Sequence, residues 1–211
     1  MGFRKIALIL ICSFSVSALW AQEPGRQHIS VSWGFATTLG SNNVINKPTF
    51  INPSLEYGYF ITDNISLGFS VGWAYNNEKG ETEDRLSEDG ASSIVTTYTE
   101  RTLSLVPVQL QGRYFPFGKS RHLSPFITLS TGFQYGTFNI TGESGINSHK
   151  SSVMGFVVTP DIGVRWYPGK AFRCNLDLRV GYQFGTNKWE RYNDNKSQQR
   201  IGAQIAFGIA F

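Results

Sequence analysis

The chain has 211 residues, of which 14% are aromatic, 22 are glycine and only 16% are charged. A composition this poor in charge and rich in aromatic residues excludes a disordered chain and predicts a single domain with room for a core. The formal net charge is +4. Removal of an N-terminal segment holding Arg4 and Lys5 would leave 17 basic against 15 acidic residues, too balanced a charge for a nucleic-acid partner.

The first 21 residues have the three-part layout of a secretory signal peptide. Arg4 and Lys5 give a positive start, residues 6–12 are apolar, and small residues precede a cleavage position after Ala21. The apolar part is shorter than the roughly 20 residues that a membrane-spanning helix needs, which favours a cleaved peptide over an anchor. We therefore predict a signal peptide at 1–21 and a mature domain at 22–211.

After cleavage the chain keeps one cysteine, Cys174, so no intramolecular disulfide can form. The sequence has no pattern of metal ligands and no glycine-rich phosphate loop, and we expect no cofactor. A secreted domain of this size then needs another source of stability. A closed barrel in a membrane supplies one, because each backbone polar group pairs with a neighbouring strand.

Eight segments alternate between apolar residues and small or polar ones, the pattern of strands with one apolar face. They lie near residues 29–36, 54–61, 65–75, 106–114, 127–135, 154–166, 176–184 and 201–211. The fourth is less regular, because Leu103 and Leu105 fall on the polar phase. We expect a bulge near Pro107 to restore the alternation, since proline cannot donate to a strand ladder.

The connections alternate in length. Short ones lie near 62–64, 117–124 and 168–173, and long polar ones near 40–49, 76–97, 139–151 and 186–199. This asymmetry predicts an all-β fold, a transmembrane antiparallel up-and-down β-barrel of eight strands, with short periplasmic turns and long external loops.

Aromatic residues fall at both ends of the predicted strands, as in the two girdles of an outer-membrane barrel. The external set is Trp33, Trp73, Tyr75, Tyr135 and Tyr182, and the periplasmic set is Tyr59, Tyr114, Trp166 and Phe211. The alternative is a soluble lipocalin-like barrel with its apolar face inward. Its outside would carry glycine, serine and alanine instead of charge, and the girdles would have no explanation, so the membrane barrel is favoured.

Three stretches resemble the small outer-membrane β-barrel family, the porin-like OmpX-, OmpW- and OmpA-type barrels. They are residues 200–211 (RIGAQIAFGIAF), residues 59–64 (YFITDN) and residues 106–108 (VPV). The resemblance implies integral insertion in the outer membrane of a Gram-negative bacterium. It also implies that Phe211 is the assembly signal by which the barrel assembly machinery recognises the C-terminal strand. The family hosts adhesins, channels and enzymes, so the resemblance does not fix an activity.

Six charged residues fall on the inward phase of the predicted strands and are expected to pair in a narrow lumen, because an isolated buried charge is very costly. They are Glu56, Arg113, Asp161, Arg165, Asp177 and Arg179. Two interpretations stay open: a structural plug, or a gate whose salt bridges exchange partners to admit small solutes.

Two external loops carry candidate contacts. Residues 76–90 are rich in acidic side chains, but their spacing matches no calcium-binding loop, and a solvated loop is the simpler interpretation. The fourth loop carries Trp189, Arg191 and Tyr192, residue types that favour binding surfaces. These three residues are equally consistent with an upper aromatic girdle.

A weak enzymatic signal is His149-Lys150-Ser151, which resembles the His-x-Ser pair of barrel enzymes that deacylate lipid A. A serine nucleophile needs a histidine base within hydrogen-bond reach and a carboxylate to orient that base. The nearest downstream acid, Asp161, lies on the inward phase well below the loop.

The function we expect is that of a non-enzymatic barrel that presents long external loops for surface binding, envelope integrity or defence. The alternative is a narrow diffusion channel for small solutes, and the third hypothesis is a lipid A-modifying enzyme. The expected partners are outer-membrane lipid, lipopolysaccharide and the assembly machinery, with the protein itself a monomer.

Overall fold

The structure, a computed structural model, describes residues 27–39, 45, 47–80, 99–118, 122–142, 149–168, 174–187 and 197–211. The predicted signal peptide lies outside these residues. The strands are β1 (Gln27–Thr38), β2 (Ser54–Phe60), β3 (Ile65–Gly72), β4 (Ala74–Gly80), β5 (Thr99–Tyr114), β6 (Leu123–Gly142), β7 (His149–Trp166), β8 (Cys174–Gly185) and β9 (Gln198–Ala210). No helix in this part of the chain is long and apolar enough to cross a membrane.

The sheet closes on itself as an antiparallel barrel. Strands that follow each other in sequence pair in turn, except β3 and β4, which do not pair with each other. β1 also pairs with β9, and β5 pairs with both β3 and β4. The latter two pairings share one register, from Ile65 opposite Tyr114 through Val71 opposite Val108 to Ala74 opposite Leu105. β3 and β4 are therefore one wall, and the predicted eight-stranded up-and-down barrel is confirmed.

The interruption between β3 and β4 has a local cause. The register places Pro107 of β5 opposite Gly72, and Phe115 N, eight residues on, donates to Asn64 O on the same side of β5. Because the direction of the backbone groups repeats every second residue, residue 107 should also donate toward β3. Proline has no N–H to donate, so the ladder breaks here.

The outer face of the barrel is apolar, as the alternation predicts. Leu110 and Met154 are each 69% exposed on it, and most other outward side chains between the two rims are also aliphatic or aromatic. At the two rims, Trp33, Trp73, Tyr135, Tyr114, Trp166 and Phe211 are each about half exposed. The barrel therefore carries an apolar band between two aromatic girdles, the surface that lipid requires.

The two ends of the barrel differ. At one, which we call the turn end, short connections follow Phe60 and Tyr114, and Gln27 exchanges both backbone hydrogen bonds with Phe211. The opposite end is the loop end. There β6 and β7 pair continuously up to Ile140 opposite His149, and β4 pairs with β5 up to Gly80 opposite Thr99. The loops predicted at 76–97 and 139–151 are thus partly strand, because polar residues beyond the apolar band still pair.

The expected bulge near Pro107 is wrong. β5 pairs with β6 in a single register over its whole length, so the inward phase continues from Arg113 through Pro107 to Leu105 and Leu103. Both leucines are at most 2% exposed. They lie on the inward phase because the lumen changes from polar to apolar toward the loop end. The alternation therefore continues without the extra residue that a bulge would insert.

Candidate functional site

Five charged side chains form a connected chain of ion pairs in the half of the lumen near the turn end. Arg165 donates from Nε to Asp177 Oδ1 and from Nη2 to Asp177 Oδ2, both at 2.7 Å. Arg113 bridges the two carboxylates, with Nη1 3.0 Å from Asp177 Oδ2 and Nη2 3.1 Å from Glu56 Oε2. Arg179 pairs with the other oxygen of Glu56. All five side chains are buried.

The strand order explains how these residues meet. Arg165 and Asp177 are direct cross-strand partners on β7 and β8. Glu56 of β2 and Arg113 of β5 are separated by β3, which turns only small residues inward at this level, namely Ser66, Gly68 and Ser70. An eight-stranded barrel is narrow enough for long side chains to bridge its lumen, so Arg113 reaches carboxylates on both sides.

Neutral side chains complete the hydrogen bonding of the charges. Thr128 Oγ1 accepts from Arg113 Nε at 3.1 Å, and Gln204 Oε1 accepts from Arg179 Nε at 2.8 Å. Asn175 Nδ2 donates to Asp177 Oδ1 at 3.0 Å. A buried charge is tolerated only when its polar groups are satisfied in this way. The sequence alternation predicts that Thr128 and Gln204 face the lumen, but it does not indicate that they bind the arginines. Asn175 lies just before the predicted strand at 176–184, so the sequence did not identify it as a lumen residue.

Asp161, the sixth charged residue of the inward phase, stands apart from this chain of ion pairs. Within the described part of the protein its carboxylate makes no ion pair. It lies against Gly181, where even a Cβ atom would overlap the carboxylate, and it lines an internal cavity. The structure therefore joins five of the six predicted charges and leaves the sixth facing open space.

Three phenylalanine rings lie beneath the charges at the turn end. Phe115 packs between Phe60 and Phe126, with ring centroids 5.4 and 5.6 Å apart. The Arg113 guanidinium carbon lies 4.5 Å from the centre of the Phe126 ring, and that of Arg165 lies 5.4 Å from the Phe115 ring. Cations over ring faces gain electrostatic stabilisation, so the rings also support the ion pairs from below.

A second apolar group lies inside the lumen toward the loop end, and we call it the upper cluster. It consists of Ile45, Ala74, Leu103, Leu105 and Phe138, all at most 3% exposed, with Val153 packed against it. Ile45 belongs to the segment after β1, so a residue outside the strands folds back into the barrel mouth.

Between the ion pairs and the upper cluster lies a polar cavity of about 90 Å³. Its lining includes Gln109, whose Nε2 donates to Thr159 Oγ1 at 2.9 Å, together with Asp161, Gln183 and Arg200. A cavity of this size holds several water molecules. From the turn end toward the loop end, the lumen thus holds four levels: aromatic rings, ion pairs, a small polar cavity and the upper cluster.

This architecture matches a known family. The family model described as "Outer membrane protein beta-barrel domain" matches residues 6–207, nearly the whole chain. The chain belongs to this family. As an outer membrane protein β-barrel, it is integral to the outer membrane of a Gram-negative bacterium, and its turn end faces the periplasm by the general rule for such barrels.

Solved structures show the same fold. Neisserial surface protein A (NspA) is 12% identical, with a TM-score of 0.56, over 90% of this chain and 100% of that one. Ail, the attachment invasion locus protein of Yersinia pestis, gives 12% identity and a TM-score of 0.55 over the same shares. At this identity the likeness extends to the fold alone. A search of curated proteins finds no relative.

Within this outer membrane protein β-barrel, Phe211 lies on the outer face at the periplasmic rim and is 46% exposed. Cys174, the first residue of β8, is also exposed there as a free thiol. The loop residues Trp189, Arg191 and Tyr192 lie outside the described residues, as does the acidic loop beyond Gly80.

The serine of the weak enzymatic signal is far from its candidate acid. Ser151 and Asp161 lie on the same strand ten residues apart, a separation of about 33 Å. A catalytic triad requires hydrogen-bond contact between its members, so these residues do not assemble one. Among the described residues, no group of three His, Cys, Asp or Glu side chains could hold a metal ion.

Proposed function

We propose that this outer membrane protein β-barrel is a non-enzymatic, non-conducting support that presents its loop end at the cell surface for binding, envelope integrity or defence. The observation that carries the proposal is the packing of side chains inside the lumen, with aromatic rings and ion pairs near the turn end and the upper cluster toward the loop end. A solute entering from the periplasm would meet three phenylalanine rings packed against one another and then five charges joined in ion pairs. Toward the other end, the upper cluster fills the part of the lumen beside β4, β5 and β6.

The size of the cavity between the ion pairs and the upper cluster also supports a non-conducting lumen. Its volume of about 90 Å³ is below the 300–1,000 Å³ typical of small-molecule sites. A passage for solutes would require the ion pairs to separate, and breaking a buried pair costs about 3–5 kcal/mol.

The loop end is built for presentation. β6 has 20 residues and β7 has 18, whereas about 9–11 residues suffice for a strand to cross a membrane. Beyond Tyr135, the outward side chains of β6 change from apolar to the polar Thr137 and Asn139. This part of the wall is suited to water, and it carries the connecting segments away from the lipid surface.

Single-channel recording of the refolded protein in a planar lipid bilayer tests the closed lumen. We expect no current steps from protein whose folding is verified by its mobility on a gel with and without heating. Reproducible steps that change on Arg165→Ala or Arg179→Ala substitution would replace this proposal with a narrow diffusion channel.

Presentation is tested in cells. Strains in which residues 143–148 are replaced by a two-residue turn should keep the barrel in the outer membrane but differ from wild type in surface-binding and serum-challenge assays. The matched control shortens the periplasmic connection at 119–121. Equal behaviour of wild type and a full set of external-loop variants would contradict the proposal.

A further inference from the structure

Arg200 is a buried cation that has no countercharge among the residues that the structure describes. The other arginines of the lumen, Arg113, Arg165 and Arg179, each pair with a carboxylate. Arg200 is equally enclosed, at 4% exposure. Within the described part of the chain its guanidinium has no hydrogen-bond or ion-pair partner, and its Nε is a buried donor with nothing to donate to.

Arg200 borders open space: it lines the polar cavity of about 90 Å³. Gln183 of β8 is its direct cross-strand partner and lines the same cavity. The nearest cavity carboxylate along these strands is that of Asp161, opposite Gly181 and therefore one inward position closer to the turn end. Glu56, the other carboxylate of the lining, is already bound by two arginines.

We propose that the Arg200 end of this cavity binds one small monovalent anion of the halide, nitrate or formate class. An unpaired cation enclosed by a barrel wall is very costly, and an anion beside it removes most of that cost. The guanidinium offers five N–H donors, and the Gln183 side chain is placed to add another. The volume admits a halide with a few waters and excludes an organic anion as large as gluconate.

The site does not require conduction. Arg200 is the third residue of β9 from the loop end, and β9 supplies none of the residues of the upper cluster. An anion would therefore enter and leave on the external side, beside that cluster. The closure by rings and ion pairs at the periplasmic side is untouched. The inference is therefore independent of the proposed function. It assigns a bound ligand to a lumen whose other side chains only fill and stabilise the barrel.

Thermal unfolding of the refolded wild-type protein in sodium bromide, against sodium gluconate at equal ionic strength, tests the site. We expect the midpoint to rise by roughly 3–6 °C at ten times the dissociation constant, and above that concentration to keep rising with the logarithm of the bromide concentration. Arg200→Met should abolish the shift. Arg101→Gln, which removes an exposed arginine of β5, should keep it.

A second measurement needs no variant. Crystals of the wild-type protein grown in bromide should show an anomalous peak within hydrogen-bond distance of the Arg200 guanidinium. Equal unfolding midpoints in bromide and gluconate, a bromide shift that survives Arg200→Met, or a cavity holding only water in such crystals would each overturn the inference.

Discussion

Arg165 and Asp177 lie directly opposite each other on β7 and β8, and the guanidinium holds both carboxylate oxygens at 2.7 Å. Arg165 thus contacts the Asp177 carboxylate at two points. It fixes the carboxylate that Arg113 must then approach from across the barrel, so the pair positions the remaining ion pairs.

Arg165→Ala is therefore expected to lower the free energy of unfolding by about 3–5 kcal/mol, because it leaves a buried carboxylate short of a partner. Urea unfolding in lipid vesicles, followed by tryptophan fluorescence, measures this. Arg101→Ala, at an exposed position of β5, is the control and should stay within about 0.5 kcal/mol. A near-neutral result for Arg165→Ala would mean that the lumen is well hydrated and would favour a channel.

Leu105→Ala tests the inward phase of β5 near the loop end. The substitution leaves a cavity in the upper cluster, and we expect a loss of about 3–5 kcal/mol in the free energy of unfolding. Leu110→Ala, on the outer face of the same strand, is the matched control. Acyl chains fill the space that it opens, so only the transfer term of about 2 kcal/mol is lost. If Leu110→Ala costs as much as Leu105→Ala, the assignment of the two faces is wrong.

Gly58→Ala tests the close approach of β1 to β2 near the periplasmic rim. A Cβ atom at this position would overlap the imidazole ring of its cross-strand partner His28, and overpacking costs about 1–3 kcal/mol. Adding His28→Ala should recover about 1 kcal/mol or more, a coupling expected only of residues in contact. At Gly112 a Cβ meets nothing nearer than Leu67 Cδ2 at 3.6 Å, so Gly112→Ala should be tolerated. Strict additivity of the Gly58 and His28 substitutions would refute the contact.

Phe211→Ala is expected to slow assisted insertion, on the proposal that the barrel assembly machinery recognises this residue. The measurement compares the rate of folding into vesicles with and without the purified machinery. Unassisted folding should change little, and Phe207→Ala, also on the outer face of β9, should slow the assisted rate less. Identical assisted rates for wild type and Phe211→Ala would remove Phe211 from this role.

The alternation of residue types was enough to predict the barrel, because each strand has one face in lipid and the other in the lumen. It also placed Glu56, Arg113, Arg165, Asp177 and Arg179 inside. It could not say which charges meet, because Arg113 and Asp177 are 64 positions apart and their contact depends on the stagger of the strands around the barrel.

Other features escaped the pattern for identifiable reasons. Leu103 and Leu105 lie on the inward phase, where the residues of a membrane barrel are usually polar. The sequence therefore suggested a shift of phase, whereas the structure shows that both leucines pack in the upper cluster. The length of β6 was underestimated because its outward phase becomes polar at Thr137 and Asn139 while its inward phase becomes apolar at Phe138, the reverse of the pattern in the membrane-spanning part of the strand. Arg200 has no carboxylate partner among the described residues because none of them lies near enough, and no pattern in the sequence indicates this distance.

The unequal strands have a mechanical consequence. At a tilt of about 40° and a rise of about 3.3 Å per residue, β6 climbs about 48 Å along the barrel axis, whereas β8 climbs about 28 Å. The wall of the described strands therefore has a tall side at β6 and a low side at β8. Among the described strands, a macromolecule approaching the cell would therefore contact the tall side first, because the low side ends about 20 Å nearer the membrane.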